Sequence, residues 1–278
     1  MASAFLKWVG GKTRFTTQLQ ACAPPGWNRL VEPFMGSAAL FFAAEPKRAL
    51  MADMNEELVI AFSGVARDYK AVIALLDKMP NTKPYFLEVR KQDPRSLSDI
   101  ERSARVIYLN KTCFRGIWRV NLKGGFNVPY GAYDRPLYNE ETMRNAASLL
   151  SRAKVKHQSY EKTMSSVKLG DWVYLDPPYV PAGGHADFTR YTAGQFRIED
   201  HQKLAECCRS LSESKIPFLL TNTNNQEARD LYGGFNLYTL KTKRDVALKA
   251  ASRPSQDLVV SNYVLSDDAP VAKIDSNG

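Results

Sequence analysis

The sequence predicts an α/β fold: a largely parallel sheet built from βαβ units, interrupted by an inserted, mainly helical lobe with a β-hairpin. Three observations carry this. Short apolar runs at 30–32, 48–52 and 172–175 have the length and composition of buried strands. Between 55 and 110 the apolar spacing changes to the three-to-four-residue period of helices. A chain of 278 residues can bury one large core with a lobe added to it.

The elements follow in order. Leu30-Val31-Glu32 reads as a strand, Pro33 to Ser37 as a turn and Ala38 to Glu45 as a helix; Arg48 to Ala52 is a second strand ending at Asp53. From Asn55 onward, Leu58, Phe62 and Val65, then Val72, Leu75 and Leu76, then Val106, Ile107 and Leu109 line helical faces. Residues 111–136 mix aromatic, glycine and basic residues around Lys123-Gly124-Gly125-Phe126, which suits a hairpin turn. The sheet resumes at Trp172-Val173-Tyr174-Leu175, followed by an amphipathic helix from His201 to Ser212 and a strand from Phe218 to Thr221. Asn236 to Leu240 and Leu258 to Leu265 are two further strands, expected to pair antiparallel across the basic loop 241–257. This assigns 1–54 and 145–267 to the sheet domain, 55–144 to the lobe and 268–278 to a disordered tail.

Composition narrows the function classes. Cys22, Cys113, Cys207 and Cys208 form no C-x-x-C pair, and His157, His185 and His201 stand far apart, so neither a disulfide framework nor a metal site is expected. Reduced thiols fit the cytoplasm. No apolar run approaches a membrane span, and Lys7 interrupts the start too early for a signal peptide. The net charge of +9 and pI near 9.3 point to a polyanionic partner. The distribution is more telling: 1–30 holds Lys7, Lys12, Arg14 and Arg29 with no acid, and 101–135 holds seven basic residues against Glu101 and Asp134. A third basic stretch holds Lys241, Lys243, Arg244, Lys249 and Arg253.

Asp176-Pro177-Pro178-Tyr179 directly follows an apolar strand, at the sheet edge where open α/β folds build ligand crevices. Two prolines fix φ and supply carbonyls without N–H donors, giving a rigid acceptor surface beside the Asp176 carboxylate. Such a surface suits an amino group. Glu32-Pro33-Phe34-Met35-Gly36-Ser37 follows the first strand, and Asp53 closes the second, as a nucleotide site requires: a glycine for close backbone approach, a carboxylate for ribose hydroxyls. The absence of G-x-G-x-x-G disfavours a dinucleotide. In Phe5-Leu6-Lys7-Trp8-Val9-Gly10-Gly11-Lys12 the Gly-Gly-Lys ending has Leu6 where a phosphate-binding loop needs its first glycine. An NTPase is rejected on that ground, and Trp8 and Lys12 instead suit a ligand bearing a flat ring and a carboxylate. S-adenosylmethionine has both.

In this order, FLKWVGGK, EPFMGS, ADMNEE and DPPY resemble the Dam-like (D12-type) adenine-N6 DNA methyltransferases of the alpha arrangement, across most of residues 4–225. The resemblance implies a Rossmann-like S-adenosylmethionine-dependent methyltransferase domain with an inserted target-recognition lobe, acting on double-stranded DNA as a cytoplasmic monomer without metal. The implied target is GATC or a relaxed variant. The implied catalytic residues are Asp176, Pro177, Pro178 and Tyr179; those for the cofactor are Trp8, Lys12, Phe34, Gly36, Asp53 and Asp176. Asp176 and the Pro177 carbonyl would each accept a hydrogen bond from N6 of an adenine flipped out of the duplex, with Tyr179 stacked on its ring. The DNA-facing set is Lys7, Lys111, Phe114, Arg115, Ile117, Arg119, Lys123, Asn127, Pro129 and Tyr133. Read from the residues themselves, Phe114 can wedge into the stack, Arg119 reach a base edge, and Lys111 and Lys123 hold phosphates.

The chain departs from the family pattern at Ala38, where a second glycine is usual, at Phe114-Arg115 in place of Tyr-Asn, at Ala132 where Arg is common, and at Lys243-Arg244-Asp245-Val246. Two other readings compete. One is an N-methyltransferase of RNA or of protein amide nitrogen, disfavoured by Asp rather than Asn at position 176; the other is an inert DNA-binding protein on the same scaffold.

Overall fold

The computed structural model describes residues 3–8, 10–121, 124–180, 196–240 and 257–274. After a short helix, α1 (Thr16–Ala21), the chain forms the expected βαβ unit: β1 (Arg29–Glu32), α2 (Ala39–Ala44) and β2 (Ala49–Asp53). The lobe supplies α3 (Glu56–Leu76), α4 (Lys83–Lys91) and α5 (Asp99–Thr112). Their starts are written in the sequence. The Asn55 side chain accepts the Leu58 N–H, and Ser98 with Glu101 closes a capping box. α3 is broken at Asp68, whose φ and ψ of −157° and 78° leave the helical region.

The sheet resumes through α6 (Glu140–Leu150), β3 (Ala153–His157), α7 (Tyr160–Met164), β4 (Asp171–Leu175), α8 (Ile198–Glu213), β5 (Phe218–Thr223), α9 (Gln226–Leu231), β6 (Asn236–Leu240), β7 (Asp257–Ser261) and β8 (Val271–Lys273). The strand order is β3-β2-β1-β4-β5-β7-β6-β8. The first five strands are parallel and the last three antiparallel. This is a Rossmann-like α/β sheet. Alternation along the strands divides the core into two layers. Leu30, Trp172, Tyr174 and Leu219 face the cluster that contains α2 and the lobe helices, while Val31, Val173, Leu175 and Leu220 face the one that contains α8 and α9.

Two expectations change. The segment 268–278 is not a disordered tail throughout: Val271–Lys273 pairs with β6, Leu240 opposite Val271, and Ala269 and Val271 enter the core. Ala269, Val271 and Ala272, broken by Pro270 and flanked by Asp267, Asp268 and Lys273, are too short a run to read as a strand, yet an edge strand needs just one buried side. The strand expected at Leu258 to Leu265 ends at Ser261, where the Ser261 hydroxyl donates to the Tyr263 carbonyl. β6 and β7 do pair antiparallel; the basic residues between them lie outside the described set.

Candidate active site

β4 pairs with β1 on one side and β5 on the other, and the chain winds outward in opposite directions from β1 and from β4. Ligand crevices of open α/β sheets form at the carboxyl edge of such a switch point. Asp176 leaves β4 there. Its Oδ1 accepts the Thr221 hydroxyl at 2.6 Å, and the Lys12 ammonium lies 2.9 Å from Oδ1 and 3.1 Å from Oδ2. Because the Thr221 proton points to Asp176, the Tyr174 hydroxyl at 3.2 Å donates to Thr221. Asp176 remains 17% accessible, against 6% for Lys12. The carboxylate is therefore fixed by a buried cation and a hydroxyl relay while one side stays open.

The loop after Asp176 is pinned by the ends of β5 and β7. The Asn222 side-chain oxygen accepts the Val180 N–H at 3.0 Å, and the Tyr179 hydroxyl donates to Asp257 at 2.9 Å. The Lys12 ammonium sits 4.5 Å from the centre of the Tyr179 ring, over its face. Thr221, Asn222 and Asp257 were not among the sequence candidates. The available signal was polarity at the end of an apolar strand, Phe218-Leu219-Leu220 running into Thr221-Asn222.

The two glycine turns meet. A Cβ at Gly11 would stand 2.9 Å from the Trp8 carbonyl and 3.1 Å from Ser37 Oγ, and one at Gly36 would stand 3.4 Å from Trp8 Cδ1. At Gly11 a Cβ would crowd the backbone, and at Gly36 the φ of +46° favours glycine. Asp53 joins them, accepting the Gly36 N–H at 3.1 Å and the Asn55 N–H at 2.9 Å. Burial pushes its carboxyl above the ordinary range, opposed by these backbone donors. Phe34 stacks on Tyr160 at 5.3 Å and meets Phe196 edge-on at 5.8 Å, an aromatic wall to which the start of α7 contributes. A cation, a carboxylate at a strand end, and aromatic faces beside a glycine turn fit a ligand with an adenosine and an amino-acid end. Lys12, read from the sequence as the partner of a ligand carboxylate, is here the counter-ion of Asp176.

On the side expected to face DNA, Lys7, Phe114, Arg115, Arg119 and Pro129 are exposed, while Lys111, Ile117, Asn127 and Tyr133 are half-buried. Lys123 lies outside the described residues. The hairpin is present, with Val120 bridged to Phe126, and its turn is closed by Asn121 N–H to Gly125 O and Gly124 N–H to Asn121 O, both at 2.9 Å. Arg119 is aimed by its Nε–H to Asn127 Oδ1 at 2.9 Å, so these two form one unit. Lys7 is fastened by buried Asn110, which accepts its N–H at 3.0 Å and donates to its carbonyl at 2.7 Å. The Arg115 guanidinium lies over Phe114, and Arg115 N–H donates to the Tyr133 hydroxyl at 2.9 Å. Ile117 packs partly into the core. Burial pushes the Lys111 ammonium down to about 8, helped by the nearby Arg135 and Lys7 charges. Between the two sides lies Trp118, 2% exposed, stacked on Trp8 at 5.9 Å and against Phe126 at 4.8 Å. Nothing in the spacing separated Trp118 from an ordinary hairpin aromatic.

The profile of the D12 class N6 adenine-specific DNA methyltransferases matches residues 8–246. A type II methyltransferase of Lactococcus lactis subsp. cremoris is 34% identical over 269 residues, spanning 93% of this chain and 95% of the relative. One from Methanocaldococcus jannaschii is 32% identical over 284 residues, spanning 93% and 98%. The DNA adenine methylase of Escherichia coli K12 is 30% identical over 274 residues, spanning 97% and 98%.

Proposed function

The chain belongs to the D12 class of N6 adenine-specific DNA methyltransferases, and from that membership we propose that it methylates N6 of an adenine turned out of double-stranded DNA, at GATC or a relaxed variant of it. S-adenosylmethionine, when bound, supplies a methyl group on a positively charged sulfur. The observation that carries the reading is Asp176 at the carboxyl edge of β4, oriented by Thr221 and Lys12 and followed by two prolines. N6 is a weak nucleophile because its lone pair is delocalised into the ring. Hydrogen bonds from its two hydrogens to Asp176 and to the Pro177 carbonyl let that lone pair localise on nitrogen, and preorganised acceptors do so without reorganisation cost.

Extruding the base costs a few kcal/mol, and stacking on the Tyr179 ring offsets about 1–3 kcal/mol. Trp8, Phe34, Gly36, Asp53 and Lys12 are the residues we assign to cofactor binding. Exposed Lys7 and Arg119 read base edges, Phe114 wedges into the stack, and Lys111 and Lys123 hold phosphates, with Arg115, Ile117, Asn127, Pro129 and Tyr133 completing the DNA-facing surface. Phe114-Arg115 and Ala132, where the chain departs from the family pattern, favour a relaxed site. We assign the protein to the cytoplasm, as a monomer; among the described residues no helix is long and apolar enough to cross a membrane.

The test is transfer of label from methyl-labelled S-adenosylmethionine to duplex DNA, with Asp176→Ala expected to abolish transfer while DNA retention persists. Label appearing only in RNA or protein would overturn the reading. Sequencing DNA methylated in a methylation-free host gives the target, and no enrichment at GATC-like sites removes that part of the proposal.

A further inference from the structure

Asp257 is a half-buried acid that the proposed reaction does not use. It opens β7, opposite Thr223 in the register with β5, and so stands two ladder positions from the Thr221 that holds Asp176. Its carboxylate accepts the Tyr179 hydroxyl at 2.9 Å. Burial pushes this carboxyl up, while the Lys12 charge and the Tyr179 hydrogen bond pull it down. With Lys12 over one ring face, Tyr179 is held at its tip and on one side, so a base that stacks on it takes the opposite face.

We propose that Asp257 is a positioning residue, holding the Tyr179 ring in the orientation on which the turned-out adenine stacks. This rests on the reading that Tyr179 stacks on that base. The hydroxyl oxygen lies on tyrosine's second rotation axis, so the contact fixes the tip of the ring; because a phenolic O–H prefers the ring plane, the direction of the acceptor sets that plane as well, and a charged acceptor makes a shorter and roughly twice stronger bond than a neutral one. β7 reaches the site from the antiparallel end of the sheet, so the contact also ties the catalytic loop to a strand distant in sequence.

The test uses the full-length chain and the duplex that the wild type methylates. Asp257→Ala and Tyr179→Phe each remove the contact, and each is expected to lower kcat by about tenfold to a hundredfold, the scale of a small misplacement, with KM for S-adenosylmethionine unchanged. The double variant falls no further than either single one, because both remove the same interaction. Asp257→Asn retains an acceptor oxygen and recovers most of the rate. Additive losses, or an Asp257→Asn as slow as Asp257→Ala, would overturn the proposal. Should Asp257→Ala fail to fold, Tyr179→Phe and the Asp257→Asn/Tyr179→Phe pair carry the same comparison. Tyr179→Ala separates the two readings: full activity there removes base stacking itself. Inactive Tyr179→Ala beside fully active Tyr179→Phe removes Asp257 positioning alone.

Discussion

Glu32 ends β1 1% exposed, with no partner for its Oε1 among the described residues. Burial pushes its carboxyl up to about 8, with the Asp176 charge adding to the rise and a Phe41 backbone hydrogen bond opposing it. A raised folded-state value means the folded protein holds this proton more tightly than the unfolded chain. The resulting penalty is absent below the unfolded value near 4.5 and complete above about 8. Stability should therefore fall as pH rises from 6.5 to 8, by up to about 1.4 kcal/mol per unit. Buried His201, held down at about 4, acts in the opposite sense but only below its unfolded 6.5. Glu32→Gln is expected to flatten the decline, read as denaturant midpoints at pH 6.5, 7.2 and 8; an unchanged slope would refute the assignment. Ala38 shows a different economy of residue choice. It takes φ of +54°, favoured by glycine, yet its methyl is fully buried. Strain of about 1–2 kcal/mol is met by about 0.8 kcal/mol of burial and a smaller chain entropy than glycine, so the missing second glycine is tolerated.

Among the elements, the α3–α5 crossing decides how the lobe sits on the sheet. Gly64 of α3 faces Ser103 of α5, whose hydroxyl donates to the Ile60 and Asp99 carbonyls at 2.8 and 2.7 Å. A Cβ at position 64 would stand 1.9 Å from that hydroxyl and 2.7 Å from Ser103 Cβ. Alanine improves helix propensity by about 1 kcal/mol, but overpacking a fixed crossing costs about 1–3 kcal/mol and breaks a buried hydroxyl's bonds. Gly64→Ala is therefore expected to lower the thermal midpoint, and a rise would show that the helices move apart freely. The same crossing carries Arg102 and Arg105 to Glu57, a half-buried network. The helical period of α3 and α5 was legible because it is local; the closeness of Gly64 to Ser103, 39 positions away, was not.

For the whole molecule, one hydrophobic cluster runs from Leu30, Met51 and Trp172 of the sheet to Phe86, Val106 and Leu109 of the lobe, and takes in Trp118 and Phe126 of the hairpin. The division at 55 and 144 follows the sequence but does not divide this core. Calorimetry is expected to give a single transition whose van't Hoff and calorimetric enthalpies agree. Two resolved transitions would show that the lobe folds by itself. A shared core also gives a physical path by which the Trp8 side of the site and the hairpin hold one arrangement, through the Trp8–Trp118–Phe126 stack.

By itself the sequence determined the βαβ opening, the helical lobe, the hairpin and the catalytic motif, because strand and helix periods, caps and Asp-Pro-Pro-Tyr are local patterns. β3 and β8 escaped it, since Ala153 and Val155 among lysines, or Val271 and Ala272 between Pro270 and Lys273, give too few apolar positions to mark an edge strand. Only the tertiary structure decided what Asp176 touches. Lys12 lies 164 positions away, Thr221 45 positions away, and Asp257 reaches Tyr179 from 78 positions beyond it. Strand order, with the N-terminal segment that carries Lys12 laid against it, brings them together at the carboxyl edge of β4, where burial makes each hydrogen bond and charge count for more than it would in water.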